Sequence, residues 1–105
     1  MTENKLTVIA RVRAKAEALD AVKQECLALV PLSRAEAGCL NYDLHQSLDD
    51  PALFVFYENW TSRTALDQHL EAPHSLRFDE RTNGLLAAEP EITFWEMLQP
   101  DREML

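Results

Sequence analysis

Glycine is nearly absent, with two in 105 residues, which excludes a flexible low-complexity chain and points to compact, regular structure. Cysteine is equally sparse. Cys26 and Cys39 match neither a CxxC pair nor a zinc pattern, so they are read as reduced thiols. Positive charge is in deficit, with ten Lys and Arg against eighteen Asp and Glu, a net charge of −8. No basic stripe with interleaved aromatics appears, so neither nucleic acid nor an anionic membrane surface is an expected partner. The opening residues, MTENK, are polar and run straight into a strand-like segment. There is no signal-peptide apolar core and no apolar run of the ~18 residues that a membrane-spanning helix needs. A soluble, cytoplasmic protein is expected.

What the chain does have is clear periodicity, and residues 1–105 are read as one domain. KLTVIARVR (5–13) alternates as a strand, with Leu6, Val8, Ala10 and Val12 on one face. Leu19, Val22, Cys26, Leu29, Val30 and Ser33 then recur at helical spacing. Pro31 falls inside that helix and is expected to kink or restart it. Gly38 is read as a helix stop. CLNYDLHQ (39–46) and LFVFYENW (53–60) are two further strands joined by the turn LDDPA. Thr61 or Ser62 can cap a short helix with Leu66, His69 and Leu70 on one face. Pro73 ends it and opens another that runs towards Asn83-Gly84. EPEITFWEML (89–98) is the fourth strand.

The order β-α-β-β-α(α)-β is that of an α+β, ferredoxin-like split βαβ fold with a four-stranded antiparallel sheet. The free face of such a sheet should be polar. Here Phe54 and Phe56 oppose Leu53, Val55 and Tyr57, and Ile92, Phe94 and Leu98 oppose Trp95 and Met97. Both faces are apolar. Helices cover one, and a second copy of the chain is the natural cover for the other, giving a homodimer. Asn59 and Tyr57 point towards that dimer face.

The segments EAGCLNYDLHQS and FVFYENWTSRTALDQHLEAPH resemble the antibiotic biosynthesis monooxygenase-like family of dimeric α+β barrels. The resemblance rests on Gly38-Cys39 with Tyr42, Glu58 with Trp60, and His69 with Pro73-His74, and it extends from about Leu6 to Leu98. It implies a pocket between sheet and helices. In relatives such pockets oxidise quinols or phenols with molecular oxygen without metal or flavin, degrade haem, or isomerise a phosphorylated hydroxyketone. The haem-degrading pattern fits poorly. LTVIARV contains no Asn, and the position ten beyond His69 is Asp79.

His69 sits beside Leu66 and Leu70 on an inward helix face, where a polar ring needs a partner. It is either a core histidine satisfied by one hydrogen bond or a general base poised near neutral pH. Glu58 shares a face with Phe54 and Phe56, and a carboxylate there must be paired or reach solvent. Its expected role is to orient His69. Tyr42 is a core aromatic or presents its hydroxyl to a ligand. Trp60, a core aromatic by default, joins Phe56 and Phe78 as an expected pocket wall, and His74 is expected at a lid or rim. His69 and His74 lack the i, i+4 spacing of a helical zinc pair, so no metal site is expected.

With the resemblance, these residues suggest a cofactor-independent monooxygenase acting on a small quinol or phenol, with a small aromatic molecule and molecular oxygen as partners. His69 is the expected base, assisted by Tyr42 and Glu58. A redox-neutral isomerase is the alternative, with Arg77 and Arg81 as candidates to hold a phosphate. A binding module without catalysis would need only the pocket.

Overall fold

The alternation of LTVIARVR forms strand β1 (Leu6–Arg13), with Val8, Ala10 and Val12 buried and Arg11 and Arg13 exposed. It is followed by α1 (Leu19–Arg34), β2 (Cys39–Gln46), β3 (Leu53–Trp60), α2 (Arg63–Leu70), α3 (Pro73–Thr82) and β4 (Glu91–Trp95). A single 3-10 turn at Ala16–Ala18 leads into α1. The computed structural model describes residues 5–98. Its four strands make one antiparallel sheet in the order β2-β3-β1-β4, the ferredoxin-like arrangement. β4 is shorter than its sequence pattern, because pairing with β1 stops at the Thr7–Trp95 pair.

The inner face of the sheet is set by register. Val12 pairs with Phe54, Ala10 with Phe56 and Val8 with Glu58. Tyr42 pairs with Glu58 from the other side. Val22, Cys26, Leu29, Leu66 and Phe78 from the three helices close over this face to form one core. Burying each such aliphatic or aromatic side chain contributes about 1.5–3 kcal/mol. Cys26 packs there as a hydrophobe, and burial pushes its thiol up to about 12. Both cysteines are free.

Two expectations about breaks in the chain are corrected. Helix α1 runs through Pro31 to Arg34 without restarting. Proline removes only the bond to the Leu27 carbonyl, and Leu27 lies on the half-exposed side, where water can take its place. Gly38 is not a left-handed helix stop. Among the described residues only Gly84, after α3, has positive φ, at 83°. Gly38 is needed for a different reason. A Cβ there would lie 2.3 Å from Cβ of Ala65 and 3.1 Å from Oγ1 of Thr61. The chain before β2 therefore passes hard against the first turn of α2.

The outer face carries a short polar network among apolar neighbours. Thr7 Oγ1 donates to Asn59 Oδ1 at 2.6 Å, and Asn59 Nδ2 donates to Asn41 Oδ1 at 2.9 Å. Trp95, opposite Thr7 on this side, is about half exposed, as is Met97 just beyond the end of β4. The helices do not finish covering the inner face either. Ile92 and Phe94 point inward yet remain 40% and 45% exposed, with the Arg63 guanidinium 4.6 Å from the Phe94 ring centre. No helix among the described residues is long and apolar enough to cross a membrane.

Candidate active site

The two short helices bring the histidines together. Ser62 caps α2 by accepting the Ala65 N–H at 3.1 Å, which fixes the phase of the helix so that Leu66 and His69 turn inward. Pro73 occupies the first turn of α3, where its missing N–H has no intrahelical duty. His74 follows it, and Ser75, Phe78 and Thr82 form the buried stripe of that helix.

Between His69 and His74 lies a residue that the sequence pattern does not single out. Glu36, in the loop between α1 and β2, places Oε2 2.6 Å from His69 Nδ1 and 2.7 Å from His74 Nε2. An ionised carboxylate only accepts, so each of those ring nitrogens carries the donated proton. His69 is thereby held as the Nδ1–H tautomer, leaving Nε2 as its proton acceptor. Burial lowers the pKa of His69, the Glu36 charge opposes that shift, and His74 reinforces it. The ring is therefore neutral at neutral pH. The Trp60 ring packs at a tilt with its centre 4.6 Å from that of His69, and the Tyr42 ring at 5.4 Å, which restricts the imidazole's orientation.

Glu58 does something other than orient His69. Its Oε1 accepts the Trp60 indole N–H at 2.9 Å. Burial raises its pKa, the Trp60 hydrogen bond opposes the rise and Glu36 adds to it, leaving the carboxyl at about 7. The orienting carboxylate is Glu36. Sequence pattern could not separate the two, because Glu36 lies in a polar loop with no periodicity to show where it points. Tyr42 is held in its neutral form, its pKa raised first by burial and then by Glu58.

A cavity of about 200 Å³ opens beside these groups, lined by Tyr42, Phe56, Glu58, His69, Ser75 and Phe78 together with Val8, Ala10 and Leu66. Asp79, Pro90 and Ile92 lie at its β4 side, and burial raises the Asp79 pKa. Phe56 and Phe78 meet edge to face at 6.5 Å. Ser75 is a further polar lining residue, and its buried hydroxyl has no hydrogen-bond partner among the described residues. Five of the seven site residues expected from sequence thus line one cavity. Trp60 does not. It is fully buried behind Glu58 and His69 and supports them. His74 instead lines a neighbouring cavity with Arg77 and Arg81. Those arginines are therefore outside the His69 cavity, where a phosphate clamp for the isomerase alternative would have to sit.

The histidine spacing addresses only ligands on a single helix. The i, i+4 criterion describes two ligands on one helix, whereas His69 and His74 sit on two helices that meet at a corner. Together with Glu36 they present three donor atoms within 4.8 Å of one another.

A four-stranded antiparallel sheet with a cavity under two short helices is the small ferredoxin-like α+β architecture. The family model for antibiotic biosynthesis monooxygenases matches residues 5–81, and the chain belongs to that family. It is 36% identical over 88 residues to Rv0793 of Mycobacterium tuberculosis, which is named a candidate monooxygenase, covering 84% of this chain and 86% of that protein. YcnE of Bacillus subtilis, named in the same way, is 31% identical over 88 residues, covering 84% and 93%. The solved structure of PA3566 from Pseudomonas aeruginosa superposes with a TM-score of 0.88 at 39% identity, covering 94% of this chain and 99% of that one.

Proposed function

We propose that this protein is a monooxygenase that oxidises a small quinol or phenol with molecular oxygen, without a cofactor, and that His69 is its general base. The observation that carries this reading is the held tautomer of His69, with Nδ1 engaged by Glu36 and the ring lining an aromatic cavity of about 200 Å³. An apolar cavity of ~150 Å³ holds benzene, so the volume suits one substituted ring rather than a polycycle.

Dioxygen accepts electrons from an electron-rich anion far more readily than from a neutral phenol. In the proposed reaction the phenol O–H proton passes to His69 Nε2, and Glu36 stabilises the resulting imidazolium. The phenolate gives one electron to dioxygen, and the two radicals combine at a ring carbon. Breaking the O–O bond leaves one oxygen as a carbonyl of the quinone and the other in water. The sum is one phenol and one dioxygen giving one quinone and one water. Glu58, with its pKa raised to about 7, is suited to deliver the proton that the departing oxygen takes. The Ser75 hydroxyl, unpartnered among the described residues, is available to bind substrate oxygen, with the neutral Tyr42 lining the same cavity, while Phe56 and Phe78 exclude water.

The test is oxygen uptake across a panel of monocyclic hydroquinones and phenols in chelator-treated buffer. One quinone from each phenol, or one hydroxyquinone from each hydroquinone, is expected per dioxygen consumed and without hydrogen peroxide, and this is lost in His69→Ala. Absence of turnover across the panel, or turnover that requires added flavin or metal, would refute the proposal.

A further inference from the structure

The corner where α2 meets α3 holds a second chemical possibility. Glu36 Oε2 receives two N–H donors, from His69 and His74. A proton relay needs a donor followed by an acceptor, and two donors converging on one oxygen do not pass a proton onward. The same three side chains are instead a ligand set of two imidazoles and a carboxylate, drawn from three separate elements. Their side chains are 6%, 16% and 17% exposed for His69, His74 and Glu36. They are thus largely shielded from bulk water, with His69 bordering one cavity and His74 the neighbouring one.

We propose that Glu36, His69 and His74 form a binding site for a borderline divalent transition-metal ion of the Zn²⁺ kind, and that occupancy switches His69 from proton acceptor to proton donor. The donor types favour such an ion over Mg²⁺ or Ca²⁺, which prefer oxygen ligands. Tetrahedral Zn²⁺ with N and O ligands holds them about 3.3 Å apart. The hydrogen-bonded pairs at 2.6 and 2.7 Å need to open by roughly 0.6 Å, and the two imidazole nitrogens, within 4.8 Å of each other, to close by up to about 1.5 Å, both by side-chain rotation. Three protein ligands leave a fourth position for water. Trp60, packed against His69, restricts one ligand ring in advance.

The switch follows from the tautomer. A metal on Nδ1 displaces the proton that Glu36 now receives, and neutral imidazole then carries its proton on Nε2. The cavity would face a donor where it now faces a base. This consequence rests on the proposed role of His69, whereas the binding site itself does not.

Two measurements decide it without relying on turnover. Calorimetric titration of chelator-stripped protein with Zn²⁺ at neutral pH should show one saturable site per chain. His74→Gln and Glu36→Gln should each weaken it roughly tenfold or more, and His45→Gln, at an exposed histidine on β2, should not change it. No saturable heat up to about 1 mM Zn²⁺, or unaltered affinity in His74→Gln with an intact circular-dichroism spectrum, would overturn the site. Nitrogen-15 NMR of the His69 ring should show Nε2 unprotonated in the metal-free protein and protonated with Zn²⁺. Zn²⁺ binding with no change at Nε2 would overturn the switch. A protein that binds Zn²⁺ in this way yet oxidises no phenol would refute the proposed function alone.

Discussion

Replacing Glu58 by glutamine should make the protein's stability less sensitive to pH, by an amount the structure sets. The folded-state pKa of Glu58 lies at about 7 against an ordinary 4.5. A raised pKa means that the stabilising contribution is complete below about pH 4.5 and is lost as pH rises through the folded value. At ~1.4 kcal/mol per unit, the loss between pH 4.5 and 8 is about 3 kcal/mol. The glutamine amide oxygen can still accept the Trp60 N–H, and the side chain never ionises. The Glu58→Gln variant should therefore gain on the wild type by up to about 3 kcal/mol as pH rises from 4.5 to 8. For a domain near this size, that corresponds to roughly 10–25 °C in Tm. His69 titrates in the same range with opposite sign, since a lowered pKa withdraws stability as pH falls. It does so in both proteins and cancels in the difference. The assay is chemical denaturation of both proteins at one protein concentration across pH 4.5–8. Parallel curves would show that Glu58 ionises normally, and the reading of it as a neutral-pH acid would fall.

His69→Ala should reduce turnover by roughly 10²- to 10⁴-fold while leaving the circular-dichroism spectrum unchanged. In the wild type, kcat/KM should rise with pH through a pKa below the ordinary histidine value of 6.5, and that rise should be missing from the variant. Light scattering should report a homodimer of about twice the 12.0 kDa chain mass, and Trp95→Glu or Met97→Glu should weaken it; a monomeric wild type would remove the case for a covered outer face. Gly38→Ala should destabilise the fold by about 1–3 kcal/mol, because its Cβ would sit 2.3 Å from that of Ala65; an unchanged denaturation midpoint would mean that the loop shifts freely.

Strand periodicity made most of the fold legible, because the alternation of Val8, Ala10, Val12 and of Phe54, Phe56, Glu58 assigns each strand an inner face, although a two-residue slip keeps those faces and the register itself had to come from the structure. The pairing of Tyr42 with Glu58 across β2 and β3 emerged only with the structure. Nor could periodicity supply the meeting of distant loops. The partner of His69 is 33 residues away in sequence, and Glu36 follows a helix end where side-chain direction has no periodic signature. The Glu58-to-His69 link suggested by sequence failed for a related reason, since Trp60, two residues along the same strand, reaches Glu58 first. The role of Gly38 was hidden too, because a glycine required by close packing looks the same in sequence as one required by a turn.

The placement of the two tryptophans has a spectroscopic consequence. Trp60 is fully enclosed, bonded to Glu58 and packed against His69, while Trp95 lies half exposed on the opposite face of the sheet. With Trp60 enclosed against Glu58 and His69 and Trp95 on the other face, one chain carries two optical probes with separate fields of view. Trp60 emission should follow the protonation of the groups beside it, and Trp95 emission should shift to the blue when its face is covered. Single Trp→Phe variants separate the two signals, so events in the cavity and association at the sheet can be timed independently in one sample.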